Sequence, residues 1–255
     1  MALAGPCDWL EVPANHPFRL QALPYGSFSD ARHPARRRVG VAIGDRILDL
    51  SAAAERLLPG RAADFGSGSL TEFLAAGDGA WTQVRAALTD WLSRDHYRSA
   101  IEDLLVPAAG VTMHLPFAVA DYVDFFVSRN HAENVGRIFR PGQPPLSRNW
   151  LHMPVGYHGR AGSVVISGTT VTRPHGQRWE PGDDGPTFGP SRRLDFEAEV
   201  GFVAGVPSRH GQPVPVAGFA EHVFGACLVN DWSARDIQSF ETVPLGPFLG
   251  KAFAT

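Results

Sequence analysis

Apolar residues recur along this chain at two spacings, and each spacing predicts its own kind of element. Between Gly79 and Arg94, the residues Trp81, Val84, Leu88, Trp91 and Leu92 fall at helical intervals, predicting one helix with an apolar stripe turned to a core. Val39 to Leu50 reads instead as two short strands around the Gly44-Asp45 turn, a hairpin. Ser51 is the predicted cap of a short helix through Leu58, closed by Pro59-Gly60. A further helix is predicted from near Ser69, with Glu72 three residues on as a capping box.

From Leu104 to Ala120, Pro107, Gly110 and Pro116 interrupt the apolar residues and mark a join. The predicted boundary lies near Leu115, giving a small domain over 1–115 and a second over 116–255. Past it, strand-like runs such as Ser163–Ser167 and Val200–Val203 alternate with Gly/Pro-rich loops, among them Pro181–Pro186. The expected class is α+β and mainly β: a small α+β module, then an antiparallel-rich β domain. No internal repeat or low-complexity tract interrupts this pattern.

Composition narrows the partners. A length of 255 residues with 44% hydrophobic and 19% charged residues gives room for an ordinary globular core. The net charge of −3 comes from 23 basic and 26 acidic residues with both signs interspersed, which argues against a nucleic-acid surface. The basic run Arg36–Arg38 leads straight into an apolar strand and reads as its solvated start. Cys7 and Cys227, far apart, exclude a disulfide framework and a CxxC metal site, and suit a reducing cytoplasm. No apolar stretch approaches the roughly 20 residues of a membrane span. Met1 to Pro6 lacks the pattern of a signal peptide.

The chemistry concentrates in Leu194–Phe202. On a strand, Leu194, Phe196, Ala198, Val200 and Phe202 share one apolar face suited to a core, while Asp195, Glu197 and Glu199 share the other. Carboxylates lined up on one face repel unless water, arginine or a cation compensates them. A hard divalent cation takes such oxygen ligands, and a solvated polar face explains the same spacing. In Asn230–Gln238, read as a strand end entering a helix, Asp231, Arg235 and Gln238 fall at i, i+4 and i+7 and would line one helical face. An N-capping Asp231 beside a surface arginine is the plainer alternative. Asp121 to His131 gathers acids and a histidine in one short region, where His131 is a structural hydrogen-bonded residue or a catalyst.

Four runs, Asp121–Phe125, Asn149–Arg160, Asn230–Gln238 and Val243–Lys251, resemble in order and spacing the consecutive signatures of the fumarylacetoacetase family. The resemblance is strong from Leu115 to Thr255. It implies an SH3-like β-barrel module with helices, followed by a mixed β-sandwich roll. It also implies one divalent cation, Ca²⁺ or Mg²⁺, held by Asp124, Glu197, Glu199 and Asp231, with Lys251 and Thr255 matching positions assigned to a second Mg²⁺ site. By the same resemblance His131 is the general base, and Arg235, Gln238 and Lys251 stabilise developing negative charge. Arg140, Tyr157 and Gln238 contact substrate. The implied reaction is hydrolysis of the carbon–carbon bond of 4-fumarylacetoacetate to fumarate and acetoacetate, the last step of tyrosine and phenylalanine catabolism, in a cytoplasmic homodimer.

Two departures bear on substrate. Phe126 and Thr242 stand where the family has tyrosines at the substrate. Members of the family also continue past the motif in which Thr255 lies, supplying a glutamate that orients the histidine and a threonine at the substrate. The expectation is therefore a chain truncated at its C-terminus, with Glu133 a conceivable substitute for that glutamate. Alternatives are a hydrolase of another β-diketo or acylpyruvate-type acid, and an inactive metal-binding fragment or non-catalytic partner.

Overall fold

A computed structural model describes residues 9–255. Cys7 and the segment Met1 to Pro6 lie outside the described residues. Contacts divide the chain into two compact units, one of residues up to Ala118 with Val200–Leu228, the other of Val119–Glu199 with Val229–Thr255. The stretch beyond the expected boundary thus contributes to both.

In the first unit, strands β1 (Tyr25–Asp30), β2 (His33–Ile43) and β3 (Arg46–Asp49) lead to helix α1 (Leu50–Leu57). Helices α2 (Thr71–Ala75), α3 (Asp78–Ser93) and α4 (Arg98–Ile101) follow, then β4 (Leu105–Pro107) and β5 (Val111–His114). The five strands form one antiparallel sheet in the order β4-β3-β2-β1-β5, an open ladder among the described residues. The predicted hairpin is β2–β3, with Ile43 opposite Arg46 across Gly44-Asp45 and Gly44 at φ +54°. Strand β2 starts earlier than the apolar pattern indicates, because its first residues pair with β1 down to Asp30↔His33 and a backbone ladder needs no apolar side chain.

Val39, Val41 and Ile43 alternate onto the buried face and meet Phe65, Phe73 and the stripe of α3, where Trp81, Val84, Leu88, Trp91 and Leu92 are all buried. Each such side chain removed from water stabilises by about 1.5–3 kcal/mol. The indole of Trp81 donates to the Phe73 carbonyl at 2.8 Å, so its polar atom is satisfied inside the core.

Three local expectations are corrected. Asp49, not Ser51, caps α1, accepting from the Ala52 N–H at 3.1 Å, while Ser51 accepts from the Val39 N–H and donates to the Phe65 carbonyl. The capping box at Ser69 does not form: Ser69 accepts from Thr71 N–H one residue too early, and Glu72 turns back to accept from Ser67. Arg36 and Arg37 are solvated, but Arg38 pairs with Asp30 and Asp49 and lies 4.5 Å over the Phe28 ring.

Past His114 the strands come in short pairs. Strand β6 (Val123–Phe125) precedes α5 (Arg129–Phe139) and pairs with β7 (Gly156–His158). Strands β8 (His175–Arg178) and β9 (Thr187–Pro190) pair with each other. Strand β10 (Leu194–Ala204) pairs with β11 (Val223–Ala234), which α6 (Phe219–His222) precedes and α7 (Arg235–Glu241) follows directly. Ser163–Ser167 is not a strand: Ser163 ends a single 3₁₀ turn, and the segment's strand-like bonding is limited to Thr255, from the Val165 N–H and to the Ser163 carbonyl. The apolar face of β10 is not buried: Phe196, Val200 and Phe202 are 64%, 59% and 64% exposed. The ladder has two strands only, and among the described residues no second layer covers that side. No helix among the described residues is long and apolar enough to cross a membrane.

Candidate active site

The β6–β7 ladder sets Asp124 directly opposite Tyr157, and the tyrosine hydroxyl donates to Asp124 Oδ2 at 2.6 Å. The alternation of β10 turns Glu197 and Glu199 to one half-buried side. Asp231 sits fully buried near the end of β11, just before the chain turns into α7. It is a strand residue, so it does not share a helical face with Arg235 and Gln238 as the spacing suggested. It is no N-cap either, that position being Ala234. Ligand atoms of Asp124, Glu199 and Asp231 lie within 4.8 Å of one another.

Three cations answer these acids. Arg160 is buried and donates to Asp231 Oδ1 at 2.5 Å and to Asp124 Oδ2. Its charge also stacks over the rings of Tyr122 and Tyr157, at 4.7 and 5.4 Å. It holds a left-handed backbone at φ +70°, a conformation costing a non-glycine residue on the order of 1–2 kcal/mol. Lys251, equally buried, donates to Ser233 Oγ at 2.7 Å and to Glu197, and its Nζ lies 2.5 Å from Asp231 Oδ2. Arg235 donates to Asp195 at 3.0 Å, Glu197 at 2.7 Å and Gln238 at 3.1 Å.

The carboxylates are therefore not equivalent. Burial pushes Glu197 upward, but Lys251 and Arg235 outweigh it and hold its pKa at about 2. Glu199 has no hydrogen bond or ion pair among the described residues. Burial first, then the neighbouring Asp231, Asp124 and Glu197, push Glu199 up to about 7. Burial likewise raises Asp231 against the pull of Lys251 and Arg160, and its Oδ2 accepts no aligned hydrogen bond. Burial also raises the phenols of Tyr157 and Tyr122, the latter to about 12. With Asp195 counted, five carboxylates face three cations, and the donors left over in Asp124, Glu199 and Asp231 are hard oxygens within reach of one another. That donor set suits a divalent cation of the Ca²⁺ or Mg²⁺ kind.

The geometry does not bring every residue singled out in the sequence into this cluster. Glu197 is given over to Arg235 and Lys251 rather than to the group of three. His131 stands exposed on α5, its ring edge-on to Phe126 at 5.3 Å, with no hydrogen bond among the described residues. Glu133 cannot orient it, being taken by Arg129 at 2.8 Å and Arg137 at 2.9 Å. Arg140 ends α5 and donates to the Pro145 carbonyl at 2.8 Å. Phe126 lines a cavity of about 320 Å³ with Val127 and residues Trp150 to Val155. Thr242 donates its hydroxyl to the Gln238 carbonyl at 2.5 Å. Thr255 is buried with its hydroxyl unpaired. The sequence reading missed Arg160 and Ser233, though Arg160 closes one of the quoted runs and is a cation where the acids lack one.

Comparison with known proteins bears on the whole chain. Residues 21–116 match the family described as Fumarylacetoacetase N-terminal, and residues 122–255 match Fumarylacetoacetate (FAA) hydrolase C-terminal. Fumarylacetoacetase of Mus musculus is 46% identical over 97% of this chain and 61% of its own length. That of Homo sapiens is 45% identical over the same shares. This chain thus spans about 61% of the length of the curated relatives it matches. A solved fumarylacetoacetate hydrolase from Exiguobacterium antarcticum aligns over 91% of this chain and 62% of its own, at 18% identity and TM-score 0.46, too loose a likeness to bear on the fold.

Proposed function

The chain belongs to the fumarylacetoacetate hydrolase family, and from that premise we propose that it serves hydrolysis of the carbon–carbon bond of 4-fumarylacetoacetate, yielding fumarate and acetoacetate in tyrosine and phenylalanine catabolism. The observation that carries this reading is the group Asp124, Glu199 and Asp231 within 4.8 Å, with Arg160 paired to Asp124 and Asp231, Lys251 to Asp231, and Arg235 to the adjoining Glu197.

Asp124, Glu199 and Asp231 would hold Ca²⁺ or Mg²⁺, with Glu197 joining them if it releases Lys251. When bound, the cation supplies Lewis acidity toward the two oxygens of a β-diketone. His131, exposed and without a hydrogen-bond partner, takes a proton from the attacking water, a task suited to an imidazole near neutral pH. Water oxygen bonds to the carbonyl carbon, the carbon–carbon bond breaks, and its electron pair leaves as an enolate that is then protonated to acetoacetate. Arg235, Gln238 and Lys251 offset the negative charge as it develops, the kind of term that weighs most in acyl cleavage. Arg140 and Tyr157 bind the acid's polar groups, and Phe126 offers an apolar wall where a hydroxyl would otherwise donate. Thr242 and Thr255 complete the set, the first beside substrate and the second beside the cation with Lys251.

The two matched stretches, 21–116 and 122–255, support a division near Leu115. The SH3-like barrel for the first part rests on the family resemblance, its five antiparallel strands between Tyr25 and His114 being joined as an open ladder, while the paired strands beyond support a β-sandwich roll. The exposed apolar face of β10 supports a homodimer in which such surface is covered, and the exposed Cys227 thiol supports a reducing, cytoplasmic setting. Loss of the fumarylacetoacetate absorbance, followed with and without chelator and against acylpyruvates as competing substrates, tests the reaction. Cation-dependent turnover favouring fumarylacetoacetate is expected. Equal or faster turnover of acylpyruvates, or turnover indifferent to chelation, contradicts it.

A further inference from the structure

Lys251 is the only lysine in a chain whose other 22 basic residues are arginines, and it is buried against Glu197, Asp231 and Ser233. An ammonium on a four-carbon stem has no planar fork to register it, so its place depends on where the backbone at 251 is held. The large side chains Val243, Leu245 and Phe248 of the preceding loop, Thr242 to Gly250, give it little burial, being 81%, 94% and 77% exposed. Polar ties therefore carry much of its fixation.

One carboxylate supplies most of them. Glu241, the last residue of α7, accepts from the Phe248 N–H at 2.8 Å, the Leu249 N–H at 3.0 Å and the Gly250 N–H at 2.5 Å. Three successive backbone donors thus converge on one side chain, each worth more to a charged acceptor than to a neutral one. The Gly250 carbonyl accepts from Ala234 N–H at 2.7 Å, so residue 250 is held through both its N–H and its carbonyl beside α7. A Cβ at Gly250 would come within 2.6 Å of the Gln238 nitrogen, so the loop end lies flush on the helix that carries Arg235 and Gln238.

We propose that Glu241 is the positioning residue of Lys251: it gathers the N–H groups of 248–250 and thereby sets the ammonium between Glu197 and Asp231. The role given to Lys251 under the proposed function is the premise for its importance, whereas the positioning itself is read without any reaction. Because the chain has one lysine, incorporation of ¹³C,¹⁵N-lysine gives a single side-chain ammonium signal. In the wild-type chain that signal is expected away from the free-lysine position, with slowly exchanging protons, and the amides of 248–250 protected. Glu241→Ala should return it to the free-lysine position and speed exchange at 248–250 by about tenfold or more, roughly the loss of one charged hydrogen bond. Glu241→Gln, which keeps one acceptor oxygen, should fall between the two while circular dichroism stays native. An unchanged Lys251 signal in either folded variant overturns the proposal. Should Glu241→Ala fail to fold, Glu241→Gln decides, and unprotected amides at 248–250 in the wild-type chain overturn it regardless of the variants. Since no substrate enters this test, its failure leaves the proposed reaction standing, and loss of the reaction leaves it standing in turn.

Discussion

Removing a single guanidinium, that of Arg160, leaves Asp124 and Asp231 facing one another in a buried site without their shared counter-charge. Breaking a buried ion pair from one side destabilises by about 3–5 kcal/mol, because the abandoned charge stays desolvated. Arg160→Met should therefore lower the thermal midpoint clearly, and millimolar Ca²⁺ should recover more of it than it adds to the wild-type chain. A midpoint unchanged by the substitution would show the pair to be dispensable. At this scale the sequence was informative about acids and poor about their partners. Glu197 and Glu199 announce themselves by alternation on a strand, and Asp231 by its place before α7. Which acid each cation takes depends on side chains brought together from Arg160, Lys251 and Arg235, positions that no local pattern links. The diversion of Glu197 to Lys251 and Arg235 was illegible for that reason.

Elements were legible where one periodicity dominates. The stripe of α3 and the hairpin β2–β3 follow directly from spacing and a turn, and both are found. Caps were not, because Asp49, Ser51, Ser67 and Ser69 compete for the same few backbone donors and tertiary packing decides among them. Short strands such as β6 and β8, of three and four residues, carry too few positions to show a period. The join between Arg192 and α7 shows how such pieces are held: buried Asp236 accepts from Ser191 Oγ at 2.6 Å and from the Arg192 N–H at 2.7 Å. Burial pushes this carboxyl up, but those donors outweigh it and its pKa is lowered. A pKa depressed on folding contributes stability that is present above the unfolded value, near 3.8, and is lost as pH falls through the folded value. Asp236→Asn should thus be less stable than wild type by about 1–3 kcal/mol near neutral pH. That gap, read by denaturant unfolding, should narrow below the unfolded pKa; a gap that is constant with pH would assign the effect to packing alone.

For the molecule as a whole, the run of residues along the chain predicts two contiguous domains, whereas the contacts assign Val200–Leu228 to the unit that begins the chain. Strands β10 and β11 are each divided in this way, and a strand pattern read along the sequence carries no mark of such a division. The apolar face of β10 was recognised as apolar but not as exposed, because exposure depends on what else covers the sheet. What the whole chain does carry is one acidic centre with a shortfall of positive charge, in a family of hydrolases. Calorimetric titration of the purified chain with Ca²⁺ and Mg²⁺ tests that centre most directly. One ion per chain is predicted, with binding abolished or weakened by at least about tenfold in Asp231→Asn and in Glu199→Gln. No binding by the folded wild-type chain, or binding that both substitutions leave untouched, would contradict it.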